Sequence, residues 1–276
     1  MRYNVRVKVV NYGVCIVCLY KYLKFSPSEG NNVMRTWKRV LAVLLCGVMM
    51  TGGMAGCEKK KAELQEEQIL NFTEPAKGDK IVVMSVKDYG DITFRLFPEQ
   101  CPKGVENFLG LIEKGYYDEL IFHRVVKDFV IQGGDPKGDG TGGESLWGGE
   151  GFAQETTSSL RHYTGALAYA VSSTKLNKSQ FYVVTGQKTT ASDIQQIESR
   201  YGKKYTDKVK ELYYQYGGQP YLDGDYEVFG QVIDGLDVCM KINNVAVSNS
   251  KPKSQVQIEK VVVEEYDGSG VHFTAE

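Results

Sequence analysis

Phe122-His123-Arg124-Val125-Val126-Lys127-Asp128-Phe129-Val130-Ile131-Gln132-Gly133-Gly134-Asp135 decides how the rest of the chain is read. Val125, Val126, Val130 and Ile131 predict a strand or a strand-loop-strand. Gly133-Gly134 then breaks the pattern. Arg124 is the odd residue. A guanidinium beside a strand of valines needs a partner, unless it sits at a strand edge in water, where charged residues are mostly found.

Upstream, Ile81–Val86 and Ile92–Phe97 read as two strands joined by the turn Asp88-Tyr89-Gly90-Asp91. Pro102 opens a helix with Val105, Phe108, Leu109 and Ile112 on one face, and Gly115 ends it. Downstream, further short strands are predicted at Ile121–Val126, Val130–Gln132, Ala166–Ala170, Phe181–Thr185, Val228–Val232 and Val256–Glu264. A late helix spans Leu236–Asn243. Many short strands with an early and a late helix suit an antiparallel barrel. Residues 187–219 interrupt the pattern. Ser192 or Asp193 caps one predicted helix, carrying Ile194, Ile197 and Tyr201. Thr206 caps a second, with Val209, Leu212, Tyr213 and Tyr216, closed by Gly217-Gly218. This helical hairpin either packs its apolar stripe on the barrel or serves as a lid or partner surface.

The opening stretch resembles the signature of cyclophilins, the peptidyl-prolyl cis/trans isomerases. That pattern reads F-H-R, two apolar residues, two variable ones, then F, two apolar residues and Q-G-G-D. The resemblance continues in family order through Pro102–Phe108, Thr141–Ser145, Gly165–Ala170, Asn177–Tyr182 and Val228–Val232, over roughly residues 80 to 265. It implies a mainly β fold: a closed eight-stranded antiparallel cyclophilin-like barrel capped by two helices, here with a helical insertion. The barrel domain is expected over residues 80–268.

The implied chemistry needs no metal and no cofactor. An X–Pro bond rotates over a barrier near 20 kcal/mol, set by amide resonance. Twisting it makes the prolyl nitrogen pyramidal and frees its lone pair. A fixed donor aimed at that nitrogen favours the twisted state over both planar ones. By resemblance Arg124 is that donor, with Gln132 and Phe129 as the other catalytic residues. Val130, Tyr182 and Leu222 join Phe129 as the proline pocket. Ala170, Val171, Gln180, Tyr221 and Tyr226 complete the substrate groove. Val130 and Tyr182 stand where the family more often has Met and Phe, and Val171 where it has Asn. Tyr221 replaces a frequent Trp and Tyr226 a frequent His. Without the tryptophan's indole donor, only weak cyclosporin binding is expected. His123 reads as a structural part of the motif, facing away from the groove; His162 and His272 receive no role.

The N-terminal fifth carries a different message. Met34–Arg39 is a positively charged start, Val40–Met50 an apolar run of 11 residues, and Met54-Ala55-Gly56-Cys57 follows. The run is too short to span a bilayer core of about 30 Å and reads as a signal peptide. The residues before Cys57 resemble a bacterial lipobox, although Met54 stands where Leu is usual. The expectation is therefore a signal peptide over 34–56, lipid attachment at Cys57, and a Lys-, Glu- and Gln-rich tether over 57–79. Residues 1–33 read as a start-site error or a leader. The protein would sit on the extracytoplasmic face of a bacterial membrane.

Residues 1–56 hold eight Lys and Arg against one acid, Glu29. The whole chain has 33 basic and 34 acidic residues. Taking these out leaves 25 against 33, so the body carries −8 and has no bulk attraction for nucleic acid. Of six cysteines, only Cys101 and Cys239 lie in the body, and their spacing gives no support to a bridge. Cys15-x-x-Cys18 has no second pair and no nearby His for a zinc site. Two functions remain open. One is an isomerase assisting the folding of exported, proline-containing polypeptides. The other is a non-catalytic binding module for an envelope partner on the same scaffold.

Overall fold

The computed structural model describes residues 68–171, 173–271 and 273. The expected leader, the signal peptide, Cys57 and His272 lie outside the described residues.

β1 (Lys80–Val86) and β2 (Gly90–Leu96) form the predicted hairpin. α1 (Pro102–Glu113) starts on its proline, whose missing N–H costs nothing in a first turn. There follow β3 (Arg124–Val126), β4 (Val130–Gly133), β5 (Phe152–Ala153), β6 (Ala166–Tyr169), β7 (Leu176–Asn177) and β8 (Phe181–Val184). The insertion supplies α2 (Ala191–Tyr201) and α3 (Asp207–Tyr216). β9 (Val228–Asp234), α4 (Leu236–Asn243), β10 (Val247–Ser248), β11 (Lys251–Pro252) and β12 (Ile258–Glu265) complete the chain.

Eight strands make one antiparallel sheet in the order β12-β1-β2-β9-β6-β8-β4-β3. Where the sequence predicts a closed barrel, this sheet is a curled half-barrel whose edge strands β12 and β3 are not ladder partners. The free edge of β3 is met by the turn between β10 and β11, where the Val125 N–H donates to the Ser250 carbonyl. The segment ahead of β3 instead meets the start of β12. Ile121 bridges Gln257, and the Phe122 N–H donates to the Val256 carbonyl.

Alternation along the strands fills the core. Val82, Met84, Ile92 and Phe94 point inward and are fully buried. Phe108 of α1 packs edge-on against Phe229 at 5.2 Å, and Tyr169 stacks on Phe229 at 4.2 Å. Each such ring contributes on the order of 2–3 kcal/mol by leaving water. Cys101 and Cys239 are free thiols, both buried, and burial pushes both thiol pKa values up.

The insertion has its own small core. Ile194, Tyr205, Val209 and Tyr213 cluster with Ile69 and with Tyr163 of the barrel. This matches the packed-stripe expectation. The cap of α2 differs: Thr190 is the N-cap, and Asp193 is its reciprocal partner in a capping box. Thr206 caps α3 as predicted. Residues 69–79, expected from the sequence to belong to a tether, pack on the domain. The Asn71 side chain, fully buried, donates to the Arg161 carbonyl and to the Gln231 side chain. Phe72 stacks on Tyr216 at 4.0 Å. Ile69, Leu70, Asn71 and Phe72 anchor this stretch as one short run, too short to show a helix or strand period.

Glu227 is a carboxyl at zero exposure beside the first turn of α1. One oxygen accepts from the Glu155 N–H and the Asn177 amide; the other has no partner among the described residues. Burial raises its pKa from 4.5 to about 7, against the lowering effect of those two bonds. The folded state therefore holds a proton that the unfolded chain releases above 4.5. Stability should fall as pH rises from about 4.5 to 7, by up to about 3 kcal/mol. Urea unfolding at pH 5 and pH 8 checks this: Glu227→Gln should remove that part of the slope, and an identical slope in the variant would refute it.

Candidate active site

The register of three strands builds the site. Arg124 of β3 lies directly opposite Gln132 of β4, and Gln132 lies opposite Tyr182 of β8. Directly paired residues share a face, and Val130, two residues before Gln132, joins them. Val125, Ile131 and Val183 take the opposite face and are buried in the core. A turn over residues 127–129, with Asp128 at φ 57°, returns the chain into β4 and leaves Phe129 just ahead of it. Gly134 at φ 82° ends that strand, where a Cβ would strike the Ser179 carbonyl.

Arg124, Phe129, Val130, Gln132, Ala170, Val171, Tyr182, Leu222 and Tyr226 line one cavity of about 230 Å³. Two expected groove residues sit beside it. Gln180 lines an adjoining hollow with Gln132, Ala170 and Val171. Tyr221 stands one ring beyond Phe129, stacked at 6.3 Å with planes 18° apart. His123 borders a different hollow with Lys251 and Pro252, away from the groove as predicted. Two larger hollows of about 540 Å³ lie elsewhere, one beside Arg95 and one between Gln187 and Tyr216. Neither gathers Arg124 or its partners.

Arg124 is held, not free. Its guanidinium donates to Gln132 Oε1 at 3.1 Å and lies 5.6 Å from the Phe129 ring centre. Gln132 Nε2 donates to Gln180 Oε1 at 3.0 Å. Gln180 Nε2 in turn donates to the carbonyls of Gly140 and Gly142. The charge lining this cavity is thus tied through two amides to main chain. This leaves other guanidinium N–H groups to face a ligand. Among the described residues no cluster of three or more metal-ligating side chains occurs.

A second set of residues stands behind the pocket, and sequence reasoning missed it. The Tyr182 hydroxyl meets His162 Nε2 at 3.0 Å. His162 Nδ1 meets Asp223 Oδ1 at 2.9 Å, and the Tyr213 hydroxyl donates to Asp223 Oδ2 at 2.7 Å. Arg161 lies 3.5 Å from the same carboxylate, which is 1% exposed. A proton on Nδ1 serves Asp223, and Nε2 lies within hydrogen-bond reach of the Tyr182 hydroxyl. Burial raises the Tyr182 pKa well above 10, so the phenol keeps its proton. Residues 20 and 61 positions apart carry no common spacing signal. The one cue was Asp223 itself, an acid directly after pocket residue Leu222.

Comparisons with known proteins converge on one family. The model of the cyclophilin type peptidyl-prolyl cis-trans isomerase/CLD family matches residues 81–263. A protein of Staphylococcus aureus (strain USA300), named "Putative peptidyl-prolyl cis-trans isomerase", is 40% identical over 193 residues, 70% of this chain and 95% of its own length. A protein of the same name from Staphylococcus haemolyticus is 39% identical, covering 68% of this chain and 93% of its own. Among solved structures, a Cryptosporidium parvum cyclophilin type peptidyl-prolyl cis-trans isomerase, crystallised in the presence of the dipeptide Ala-Pro, is 34% identical. It aligns with a TM-score of 0.53 over 67% of this chain and 99% of its own.

Tyr182→Phe should test the polar backing of the pocket. It removes the hydroxyl and strands His162 Nε2 in a buried site, a loss of roughly 1–3 kcal/mol. Chemical denaturation measures this; a variant as stable as the wild type would show that the hydroxyl does not anchor the wall.

Proposed function

The chain belongs to the cyclophilin-type peptidyl-prolyl cis-trans isomerase family, and from that premise we propose that it isomerises X–Pro bonds in exported polypeptides at a membrane surface. The observation that carries the reading is Arg124: a fixed guanidinium lining a cavity of about 230 Å³ beside Phe129, Val130, Tyr182 and Leu222. Proline would seat against Phe129, Val130, Tyr182 and Leu222, with Arg124 over its nitrogen. Planar cis and trans amides offer that nitrogen's lone pair to the carbonyl. Only the twisted amide offers it to a donor, so Arg124 stabilises the transition state selectively. Gln132 has a double task in this scheme: it fixes Arg124 and can bond the substrate main chain. No bond is made to the protein and none is broken, so the catalytic effect is one of shape and field. The Ala-Pro dipeptide present with the Cryptosporidium relative supports a proline-containing ligand here.

The proposed location rests on Cys57 and the apolar run before it. Lipid on that thiol, with residues up to about 67 as the tether, would hold the domain near polypeptides as they emerge. Among the described residues no helix is long and apolar enough to cross a membrane. Tyr221 lacks an indole N–H, which supports weak cyclosporin binding.

Two measurements test these readings. Arg124→Ala should stay folded and lose roughly 10²-fold or more in kcat/KM on a short proline peptide, the scale for one preorganised donor. Undiminished turnover in a folded variant would exclude the mechanism. Metabolic labelling with a fatty-acid probe should mark the wild type and spare Cys57→Ala; equal labelling of both would remove the anchor.

A further inference from the structure

The insertion carries one ring that its own core does not use. Tyr205 and Tyr213 are 3% and 0% exposed, but Tyr201, the last residue of α2, is 47% exposed. It stacks on Tyr221 at 5.7 Å with planes 24° apart. Tyr221 stacks in turn on Phe129, and Phe129 lies beneath Arg124. Three rings therefore run in a row from the proposed catalytic guanidinium out onto the insertion.

The spacing of the row is informative. Full face contact between rings needs about 3.5–4 Å. Near-parallel planes with centres at 6.3 and 5.7 Å are offset like steps, and each ring leaves part of its face uncovered. A large ring left half in water adds little to folding. Its place, continuous with the wall of the proline cavity, gives it a second use. Together the two steps bound Tyr201 at about 12 Å from Phe129, the length of about three to four extended residues.

We infer that Tyr201 and Tyr221 form an aromatic shelf that selects substrates carrying an aromatic side chain two to four residues from the isomerised proline. This deepens the isomerase reading and rests on it for the seating of proline beside Phe129. Tyr201 is a specificity-determining residue on this view. A substrate ring packs on the open steps, offset or edge-on, the geometries aromatic pairs favour. Arg200, whose guanidinium lies 5.6 Å from the Tyr201 ring, adds a cation at the same rim for that ring's face.

The test is a set of peptides with one proline and a single Phe or Ala at each of the second to fourth positions on either side. Both kcat/KM and Kd are measured, and the Phe-to-Ala ratio is the readout. One position should give the wild type a ratio of about threefold to tenfold, the scale of an added aromatic pair. Tyr201→Ala should bring that ratio to one, and Tyr201→Phe should restore it. A ratio of one at every position, or a ratio unchanged in Tyr201→Ala, overturns the shelf. Failure of the isomerase reading looks different. Peptides bound with the aromatic preference but never turned over would refute catalysis and leave the shelf standing. Turnover without preference would do the reverse.

Discussion

Arg124 opposite Gln132, and Gln132 opposite Tyr182, is the constraint on which the site depends. Side chains alternate faces along a strand, so a slip of one residue in either pairing would reverse the pattern. Val125 and Ile131 would face the groove, and a guanidinium would be driven into a core that offers it no partner. The penalty for burying that charge is several kcal/mol, far more than a misplaced valine costs. The register that fills the core is therefore the register that exposes the arginine. Stability and function are fixed by one pairing, and the core selects the geometry that the groove uses.

Asp223 plays the corresponding part behind the pocket. A carboxylate 1% exposed must be surrounded by donors. Its donors come from separate parts of the chain: His162 and Arg161 ahead of β6, and Tyr213 from α3 of the insertion. The Lys203 ammonium also donates to the Asp223 carbonyl. His162 then passes the constraint to the Tyr182 hydroxyl and so to the pocket wall. A pocket that only binds and twists its ligand has no reacting group to tune. What it needs is walls that do not move, and a buried network that gathers His162, Arg161 and Tyr213 on one carboxylate supplies that rigidity.

Legibility in the sequence followed the range of the interactions. Strand alternation, Pro102 at a helix start and Thr206 at another were local signals, and each falls where the structure has it. The stretch Phe122–Asp135 showed Arg124, Phe129 and Gln132 together because one hairpin carries them all. The cavity beside Arg124 was reachable through resemblance, since its walls come from β4, β8 and the turn at Leu222. The Asp223–His162–Tyr182 network was not, because its members meet only through the fold and each looks ordinary in sequence. His162 in particular had no visible partner until β6, β8 and the segment after the insertion were brought side by side. The packing of residues 69–79 was hidden for a related reason: the partners of Asn71 and Phe72, Gln231 and Tyr216, lie far along the chain.

The insertion is then more than a passenger on the barrel. If it were ornamental, its contacts would end at its own apolar stripe. Ile194 and Val209 do end there, against Tyr163 and Ile69. Two of its residues reach further. Tyr213 closes the ring of donors around Asp223 on the inner side, and Tyr201 stacks on Tyr221 on the outer side. One contact braces the pocket wall from behind and the other extends the groove in front. Both depend on the same small core to hold α2 and α3 in place. A packed strut and an aromatic shelf are thus compatible uses of one insertion: the strut is what gives Tyr201 a fixed position.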